Sequence, residues 1–263
     1  MATKVTILGF GNMGKAIAGA LREHDKNIEI FSVDLKKPSE AILKREMANS
    51  DYMILAVKPQ DAKGAISEVR DFISPDMIII SIMAGIKISK IKNYTGSTKI
   101  IRMMPNIGLS LSEGIAVWRQ SGLNKKEVFE LKKFIDKITD NFEVPGEDMI
   151  DKVTAISGSG PAYFFLLADS IHKASEKLGL AKEASRKLVE KTFSATALLA
   201  KGGSYEDLIS KVASKKGTTE AALKVFKKEI CCIVSDQPFF TKSNWACNNC
   251  VISIVNATNS KRI

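Results

Sequence analysis

The distribution of apolar residues divides the first 146 positions into short apolar runs and longer amphipathic segments. The runs are rich in Ile, Val, Leu and Met and are typical of buried strands, whereas apolar residues three or four apart predict helices. Strand and helix alternate, which predicts a mainly parallel sheet with helices on both faces. The predicted strands are 4–8, 28–33, 52–57, 77–83, 99–103, 115–118 and 142–144. Helices are predicted after residue 11, over 40–47, 62–72 and 86–92, and after Asn124.

The pattern changes after Gly146, because only helical segments follow it as far as residue 229. These predicted helices cover 149–156, 162–178, 182–200, 205–212 and 219–229. We therefore predict an α/β domain over residues 1–146 and an all-helical domain over residues 147–230. The helical domain is apolar enough to bury part of its surface in a dimer. Residues 231–263 lack a helical period and form an atypical tail to which we assign no role.

Composition and charge narrow the classes of function. The formal net charge is +10, but the lysines are dispersed, without an arginine-rich run or interleaved aromatic residues. This argues against a nucleic-acid-binding module and favours anionic ligands, such as a dinucleotide or a carboxylate substrate. The longest apolar stretch, 77–86, is too short to span a membrane, and no signal-peptide pattern is visible. We expect a cytoplasmic protein with neither a membrane nor a nucleic acid as partner.

All four cysteines lie after residue 230, and Cys247 and Cys250 form a CxxC pair. Together with Cys231 and Cys232 they are compatible with a zinc site, but adjacent cysteines chelate a metal poorly and a second CxxC pair is absent. A redox pair is another alternative. Free thiols without a function are the favoured interpretation, so we predict no metal site.

The segment GFGNMG places Gly9, Gly11 and Gly14 in the spacing GxGxxG, between a predicted strand and a predicted helix. Asp34 ends the second predicted strand, 20 residues after Gly14. This context is typical of a dinucleotide-binding loop, whose glycines allow a tight turn, close approach of the backbone to a pyrophosphate, and close helix packing. We therefore predict a Rossmann-like, doubly wound sheet.

Two features near the end of the second predicted strand favour different cofactors. Asp34 would bond ribose hydroxyl groups and favours NAD, whereas Lys36 and Lys37, with Ser32, would hold the 2′-phosphate of NADP. These residues leave the choice of cofactor open.

Further candidate residues follow other predicted strands, where ligands of open parallel sheets lie. The segments AVKP (56–59) and MAG (83–85) are expected to line a cofactor cleft, although Lys58 is equally compatible with an exposed surface lysine. Asn106 in the segment MPN either orients a nicotinamide or forms a turn. The small-residue segment SGSGPAYF (157–164) leads into a long helix and is either a close-approach site or a helix-packing turn.

Neither histidine is a good catalytic candidate, because His24 and His172 lie on predicted helices without an acidic partner nearby in sequence. Reduction of a ketone usually requires a strong general acid. An imine is easier to reduce, because it is protonated before the hydride arrives, so a hydroxyl donor is sufficient. The absence of a histidine acid therefore favours an imine substrate.

A candidate donor lies in the segment ASKKGTTEAAL (213–223), where two threonines stand at the start of a predicted helix. Threonine is a good N-cap, so capping is one interpretation. A helix N-terminus also attracts anions through its free N–H groups and its dipole, so a carboxylate site is the other. The two interpretations are compatible.

Taken together, the motifs resemble those of the pyrroline-5-carboxylate reductases. GFGNMGKAI, AVKP, MAG, IIRMMPN, EGIAV, SGSGPAYFF and GTTEAAL occur in that family's order and approximate spacing, between residue 4 and about residue 229. Related hydroxyacid dehydrogenases carry a catalytic lysine after a comparable glycine motif, and no lysine lies between Ser157 and Asp169 here. The resemblance implies a Rossmann domain followed by a helical dimerisation domain, and reduction of a cyclic imine to L-proline with NADP, or alternatively NAD.

The resemblance also implies roles for individual residues. The pyrophosphate would be held by Ile7, Leu8, Gly9, Phe10, Gly11, Asn12 and Gly14, with Asp34 at the ribose. The cofactor cleft would be lined by Ala56, Val57, Lys58, Pro59, Ile82, Met83 and Ala84. The substrate would be bound by Ser214, Gly217, Thr218 and Thr219, with Thr219 as the catalytic hydrogen-bond donor to the imine nitrogen. The family's interleaved helical domains imply a homodimer, or a larger oligomer built on dimers.

The sequence departs from the family pattern in three places. Lys216 replaces a glycine of the substrate loop, the segment 35–51 is shorter than usual, and the resemblance stops near Ile230. The favoured hypothesis is a pyrroline-5-carboxylate reductase of proline biosynthesis. The alternatives are a catalytically impaired dinucleotide-binding relative with a regulatory role, and another imine reductase of the same architecture.

Overall fold

In the first part of the chain, the strands of the described residues form one seven-stranded sheet. The computed structural model describes residues 2–33, 39–214 and 217–234, and side chains as far as residue 227. The chain divides between Pro161 and Ala162 into two compact units.

The seven strands are β1 (Lys4–Leu8), β2 (Glu29–Val33), β3 (Tyr52–Leu55), β4 (Ile78–Ser81), β5 (Ile100–Pro105), β6 (Ile115–Ser121) and β7 (Asp140–Glu143). Their order across the sheet is β2-β1-β3-β4-β5-β6-β7. Neighbouring strands run parallel except for β5 and β6, which pair antiparallel. The chain therefore reverses its direction of winding at β1, and the crevice beyond the ends of β1 and β3 is the expected ligand position in such a sheet.

The helices of the described residues are α1 (Asn12–His24), α2 (Glu40–Met47), α3 (Ala62–Val69), α4 (Ile88–Thr95), α5 (Lys125–Asp136), α6 (Asp148–Val153), α7 (Gly160–Lys177), α8 (Lys182–Leu199), α9 (Tyr205–Val212) and α10 (Thr218–Val234). Short 3₁₀ helices occupy Arg70–Phe72 and Ile107–Leu111, and a π-helix occupies Thr154–Gly158. The mainly parallel sheet followed by helices confirms the predicted fold class.

Two apolar layers cover the two faces of the sheet, because successive strand residues point to opposite sides. On one face, Ile101 and Met103 of β5 belong to a cluster that includes residues of α1 and α5. On the other face, Ile100 belongs to a cluster that includes residues of α2, α3 and α4. Each fully buried aliphatic side chain contributes about 1.5–3 kcal/mol, more than an exposed ion pair, so these layers dominate the stability of the sheet.

A third, smaller apolar cluster joins α6 to the sheet. Ile150 of α6 packs with Met104 of β5, Val117 of β6 and Val144. The boundary predicted after residue 146 stays a prediction, but these contacts group α6 with the strands.

One expectation about the end of the helical region is wrong. The helical pattern was predicted to end at residue 229 and to be lost from Cys231, whereas α10 runs through Cys231 and Cys232 to Val234. Gly and Pro, the residues that most disfavour helix, are absent between Thr218 and Val234. Backbone hydrogen bonding can therefore continue although the apolar periodicity fades. The cysteine pair Cys247 and Cys250 lies outside the described residues.

Candidate cofactor and substrate sites

At two of the three glycines in the loop after β1, neighbouring backbone atoms leave no room for a side chain. Gly9 has a φ of +94°, and a Cβ atom added there would lie 2.7 Å from the backbone nitrogen of Val57. A Cβ atom on Gly14 would collide with the carbonyl oxygen of Gly9. Only glycine satisfies both positions, because one requires a left-handed backbone conformation and the other has no room for a side chain.

Two backbone hydrogen bonds fix the loop against the neighbouring strands. The Gly9 amide donates to the Val33 carbonyl (2.8 Å), and the Ala56 amide donates to the Leu8 carbonyl (2.8 Å). The segments 9–14 and 56–59 therefore begin side by side at the carboxyl edge of the sheet.

The remaining glycine is surrounded by open space. Gly11 is the N-cap of α1, its φ is −73°, and a Cβ atom there would meet no atom within 4 Å. Its position has no capping side chain, and the first turn of α1 carries no acidic residue. The first N–H groups of a helix lack intrahelical partners and attract anions, so this end of α1 fits the pyrophosphate of a dinucleotide.

The other predicted cofactor residues differ in the solvent exposure of their side chains. Ile7, Leu8 and Met83 are buried in the apolar layers, which leaves their backbones as the groups that face a ligand. Phe10, Ala56, Val57 and Ile82 are half-buried, whereas Asn12, Lys58, Pro59 and Ala84 are exposed. Asp34, Lys36 and Lys37 lie outside the described residues. Ser32, the remaining candidate for the phosphate, is exposed on β2.

Asn106 stabilises a turn, one of the two roles considered for it. Its side-chain Oδ1 accepts a hydrogen bond from the Ile115 amide (3.2 Å), and its own amide donates to the Ile115 carbonyl (3.2 Å). These bonds close the connection between β5 and β6.

The predicted substrate loop ends directly at α10. Ser214 is exposed, and its carbonyl accepts a hydrogen bond from the Gly217 amide (3.1 Å). A Cβ atom on Gly217 would lie against the Ser214 hydroxyl, so a larger residue there would require the exposed Ser214 side chain to rotate. Thr218 and Thr219 are the first residues of α10, with Thr218 exposed and Thr219 half-buried. Lys216 lies outside the described residues.

Both histidines make contacts that hold helices. His24 Nδ1 lies 3.0 Å from the Ala20 carbonyl within α1, and His172 Nδ1 lies 2.6 Å from the Ser185 hydroxyl, which joins α7 to α8. Ser185 is fully buried. These contacts support the structural roles that the sequence predicted.

The clearest pKa shifts also belong to structural contacts. Hydrogen bonds from the Asn124 amide and from Lys99 lower the pKa of Glu127. Hydrogen bonds to Glu127 and Asp76 raise the pKa of Lys99. Burial raises the pKa of Tyr52 to about 12, and its ring stacks on Phe134.

One buried cation had no role in the sequence analysis. Arg102 lies in the middle of β5 with its side chain fully buried, and it forms ion pairs with Glu147 and Asp151. The sequence signal was present, since Arg102 is the single charged residue of a strand that is otherwise apolar.

The described residues contain neither a metal-binding cluster nor a membrane-spanning helix. They contain no group of three or more His, Cys, Asp or Glu side chains placed to hold a metal ion. Among the same residues, no helix is both long and apolar enough to cross a membrane.

Family models match both parts of the chain. Residues 147–234 match the model described as pyrroline-5-carboxylate reductase dimerisation. Residues 4–85 match the model described as NADP oxidoreductase, coenzyme F420-dependent.

Individual relatives match over most of their length. Pyrroline-5-carboxylate reductase of Pseudomonas aeruginosa is 30% identical, and the aligned region covers 85% of this chain and 88% of that protein. The structure of a pyrroline-5-carboxylate reductase from Coxiella burnetii has a TM-score of 0.77 at 26% identity, over 99% and 98% of the two chains. The Plasmodium falciparum pyrroline carboxylate reductase structure with NADP bound has a TM-score of 0.76 at 25% identity, over 98% and 96%. This chain belongs to the pyrroline-5-carboxylate reductase family.

Proposed function

We propose that this chain reduces 1-pyrroline-5-carboxylate to L-proline, with the cofactor held at the glycine loop and the substrate at the start of α10. The imine carbon receives a hydride, the ring nitrogen receives a proton, and the C=N bond becomes a single bond. NADPH, when bound, supplies the hydride. The observation that carries the proposal is the open space at Gly11, between two glycines whose close contacts fix the loop.

The loop contributes backbone groups rather than side chains to cofactor binding. Gly9 and Gly14 hold the turn against the neighbouring strand, while Gly11 and Asn12 begin α1 with free N–H groups directed at an anion. The segments 56–59 and 82–84 line the cleft on the side of β3 and β4. NADP is the cofactor, in agreement with the family and with the NADP bound to the Plasmodium relative.

The substrate carboxylate binds at the N-terminus of α10. This helix is 17 residues long and has its first N–H groups at Thr218 and Thr219, so its dipole favours a negative charge there. Ser214 and Gly217 shape the turn that leads into it. The Thr219 hydroxyl donates a hydrogen bond to the imine nitrogen, a role that a weak acid can perform because an imine is easily protonated.

The active form is a homodimer, or a larger oligomer built on dimers, formed through the helical unit. Large apolar side chains are exposed on its helices, among them Phe164, Phe165, Leu188, Leu198 and Leu199. Large exposed apolar patches mark interaction sites, so this number of exposed apolar side chains on one unit favours an interface. The match to the family's dimerisation model covers these helices. A cytoplasmic location stays a prediction of the sequence analysis.

The test is oxidation of NADPH and NADH by purified protein in the presence of 1-pyrroline-5-carboxylate, with L-proline as the measured product. We expect turnover with formation of L-proline, faster with NADPH. Cofactor binding without turnover would instead support the impaired dinucleotide-binding relative. Turnover of other cyclic imines in preference to this one would support a different imine reductase.

A further inference from the structure

Arg102 places a positive charge between two apolar clusters on one face of the sheet. Ile100, two residues before it, belongs to the cluster that includes α2, α3 and α4, and Met104, two residues after it, belongs to the cluster that includes α6. The Arg102 side chain is fully buried. A buried charge is stable only when it is paired and hydrogen-bonded, so its partners are structurally important.

The partners of Arg102 are two carboxylates at the start of α6, one turn apart. Arg102 Nη1 donates to Glu147 Oε1 (3.1 Å), and Nη2 donates to Asp151 Oδ1. Two N–H groups of one guanidinium thus hold both carboxylates in a fixed orientation. The buried Nε atom has no hydrogen-bond partner in the described part of the chain.

Glu147 has a second contact that Asp151 does not share. The same Oε1 atom accepts a hydrogen bond from the backbone amide of Ile88 (2.7 Å), the first residue of α4. An amide at this position has no partner within its own helix, and the N-cap residue Lys87 supplies no side-chain bond. Glu147 therefore caps α4 from a different element. The hydrogen bonds found among the described residues give Asp151 no corresponding link to α4.

The segment between β4 and α4 is consequently held at both ends. At its start, the Ile82 amide donates to the Leu55 carbonyl at the end of β3 (3.1 Å). At its end, the Ile88 amide is bonded to Glu147. Between these points Ala84 and Gly85 are exposed, and Gly85 has a φ of +72°. This segment, 82–87, contains Ile82, Met83 and Ala84, which are predicted to line the cofactor cleft together with residues 56–59.

We infer that Glu147, held in place by Arg102, is a positioning residue that sets the location of the segment 82–87 at the cofactor cleft. The inference rests on the proposed function, which assigns the cofactor to this cleft. Removal of Glu147 frees the Ile88 amide and the end of the segment, whereas removal of Asp151 weakens the ion pairs of Arg102 but leaves this link intact.

The matched variants are Glu147→Ala and Asp151→Ala, since each removes one carboxylate from the same guanidinium. The dissociation constant of NADPH is measured by nicotinamide fluorescence, and thermal unfolding is followed in parallel. We expect Glu147→Ala to weaken binding about tenfold and Asp151→Ala less than about twofold, at a comparable loss of thermal stability. Glu147→Gln keeps an oxygen acceptor for Ile88 and should bind NADPH nearly as well as the unchanged protein.

A second readout does not depend on the cofactor. Hydrogen exchange in the segment 82–88 of the free protein should be faster in Glu147→Ala than in Asp151→Ala. Equal changes in both variants, in binding or in exchange, would mean that Arg102 and its partners only stabilise the unit, and would overturn the inference. Normal exchange in Glu147→Ala would overturn it as well. Faster exchange confined to Glu147→Ala, in a protein that does not bind NADPH, would uphold the link while rejecting the cofactor assignment.

Discussion

At the scale of single residues, the three glycines of the first loop have different physical reasons to be glycine. Gly9 has a left-handed backbone, Gly14 lies against the Gly9 carbonyl, and Gly11 faces open space. Only the last of these is unexplained by the fold itself. We therefore attribute Gly11 to ligand binding. Substitution of Gly11 distinguishes an effect on ligand binding from an effect on stability.

Gly11→Ala is expected to weaken NADPH binding by at least about tenfold while lowering the free energy of unfolding by about 1 kcal/mol or less, since alanine is a poorer N-cap than glycine. The added methyl group would occupy space needed by the pyrophosphate, whereas the φ of −73° is acceptable for alanine. Fluorescence titration and urea unfolding measure the two quantities.

The matched control is Gly19→Ala, at an exposed position of the same helix with no atom within 4 Å of the added Cβ. It should raise the free energy of unfolding by about 0.5–1 kcal/mol and leave NADPH binding unchanged. Unaltered binding in Gly11→Ala would show that the cofactor does not approach this backbone.

Thr219→Ala is expected to lower kcat at least about tenfold and to change the NADPH dissociation constant by less than about twofold, because the lost hydroxyl acts on the imine nitrogen. Steady-state kinetics and fluorescence titration separate these effects. Thr219→Ser keeps the hydroxyl and should retain most of the activity. Equal kcat values for all three proteins would remove Thr219 from the mechanism.

At the scale of elements, α5 shows how a local signal joins a tertiary contact. The Asn124 side chain accepts from the Glu127 amide, and the Glu127 side chain accepts from the Asn124 amide, forming a capping box. Glu127 also bonds Lys99, at 2.9 Å, just before β5. The helix start is thereby tied to the sheet.

The contact between Glu127 and Lys99 makes the stability of the protein depend on pH. The pKa of Glu127 is lowered in the folded state, so its contribution is present above its usual value of 4.5 and is lost as the pH falls through the folded-state pKa. We expect Glu127→Gln to reduce stability at about pH 7 and to flatten the decline in stability as the pH falls below 4.5, as measured by urea unfolding.

Glu130→Gln is the control for this effect, since Glu130 is half exposed and its distance to Lys133 is 3.5 Å. It should reproduce the acid profile of the unchanged protein. A profile for Glu127→Gln as steep as that of the unchanged protein would assign the acid sensitivity to other groups.

Local sequence signals were sufficient for most elements but not for contacts between them. The helix 40–47 and the helix 205–212 were predicted with the bounds that the structure has. The second has Ser204 as its N-cap, whose side chain accepts a hydrogen bond from the Asp207 amide. The antiparallel pairing of β5 and β6 was not predicted, since it depends on a turn closed by Asn106 and Ile115. The glycine loop could be predicted because its chemistry is local. The link from Arg102 to Ile88 through Glu147 could not, because it joins three separate elements.

At the scale of the whole molecule, the exposed apolar residues of the helical unit imply assembly. Phe165 on α7 is 68% exposed, and burying it between two subunits is favourable because its aromatic side chain has a large apolar area. Phe129 on α5 is 59% exposed but lies outside the region that matches the dimerisation model. The two phenylalanines are therefore a matched pair for a test of the interface.

Phe165→Glu is expected to shift the protein from dimer, or larger oligomer, toward monomer, because a carboxylate would be buried without a partner. Phe129→Glu should leave the mass unchanged. Size-exclusion chromatography with light scattering measures both. A monomeric unchanged protein, or an identical mass for all three proteins, would contradict the proposed interface.

The edge strand β7 limits aggregation between copies of the chain. It is four residues long and carries Asp140 and Glu143, both exposed. Short edge strands that bear charge are poor templates for the addition of a strand from another molecule. At this side, the sheet is thus protected against open-ended aggregation, even though Phe142 is half exposed on the same strand. Loss of the two carboxylates would leave this edge open to pairing with a strand of another molecule.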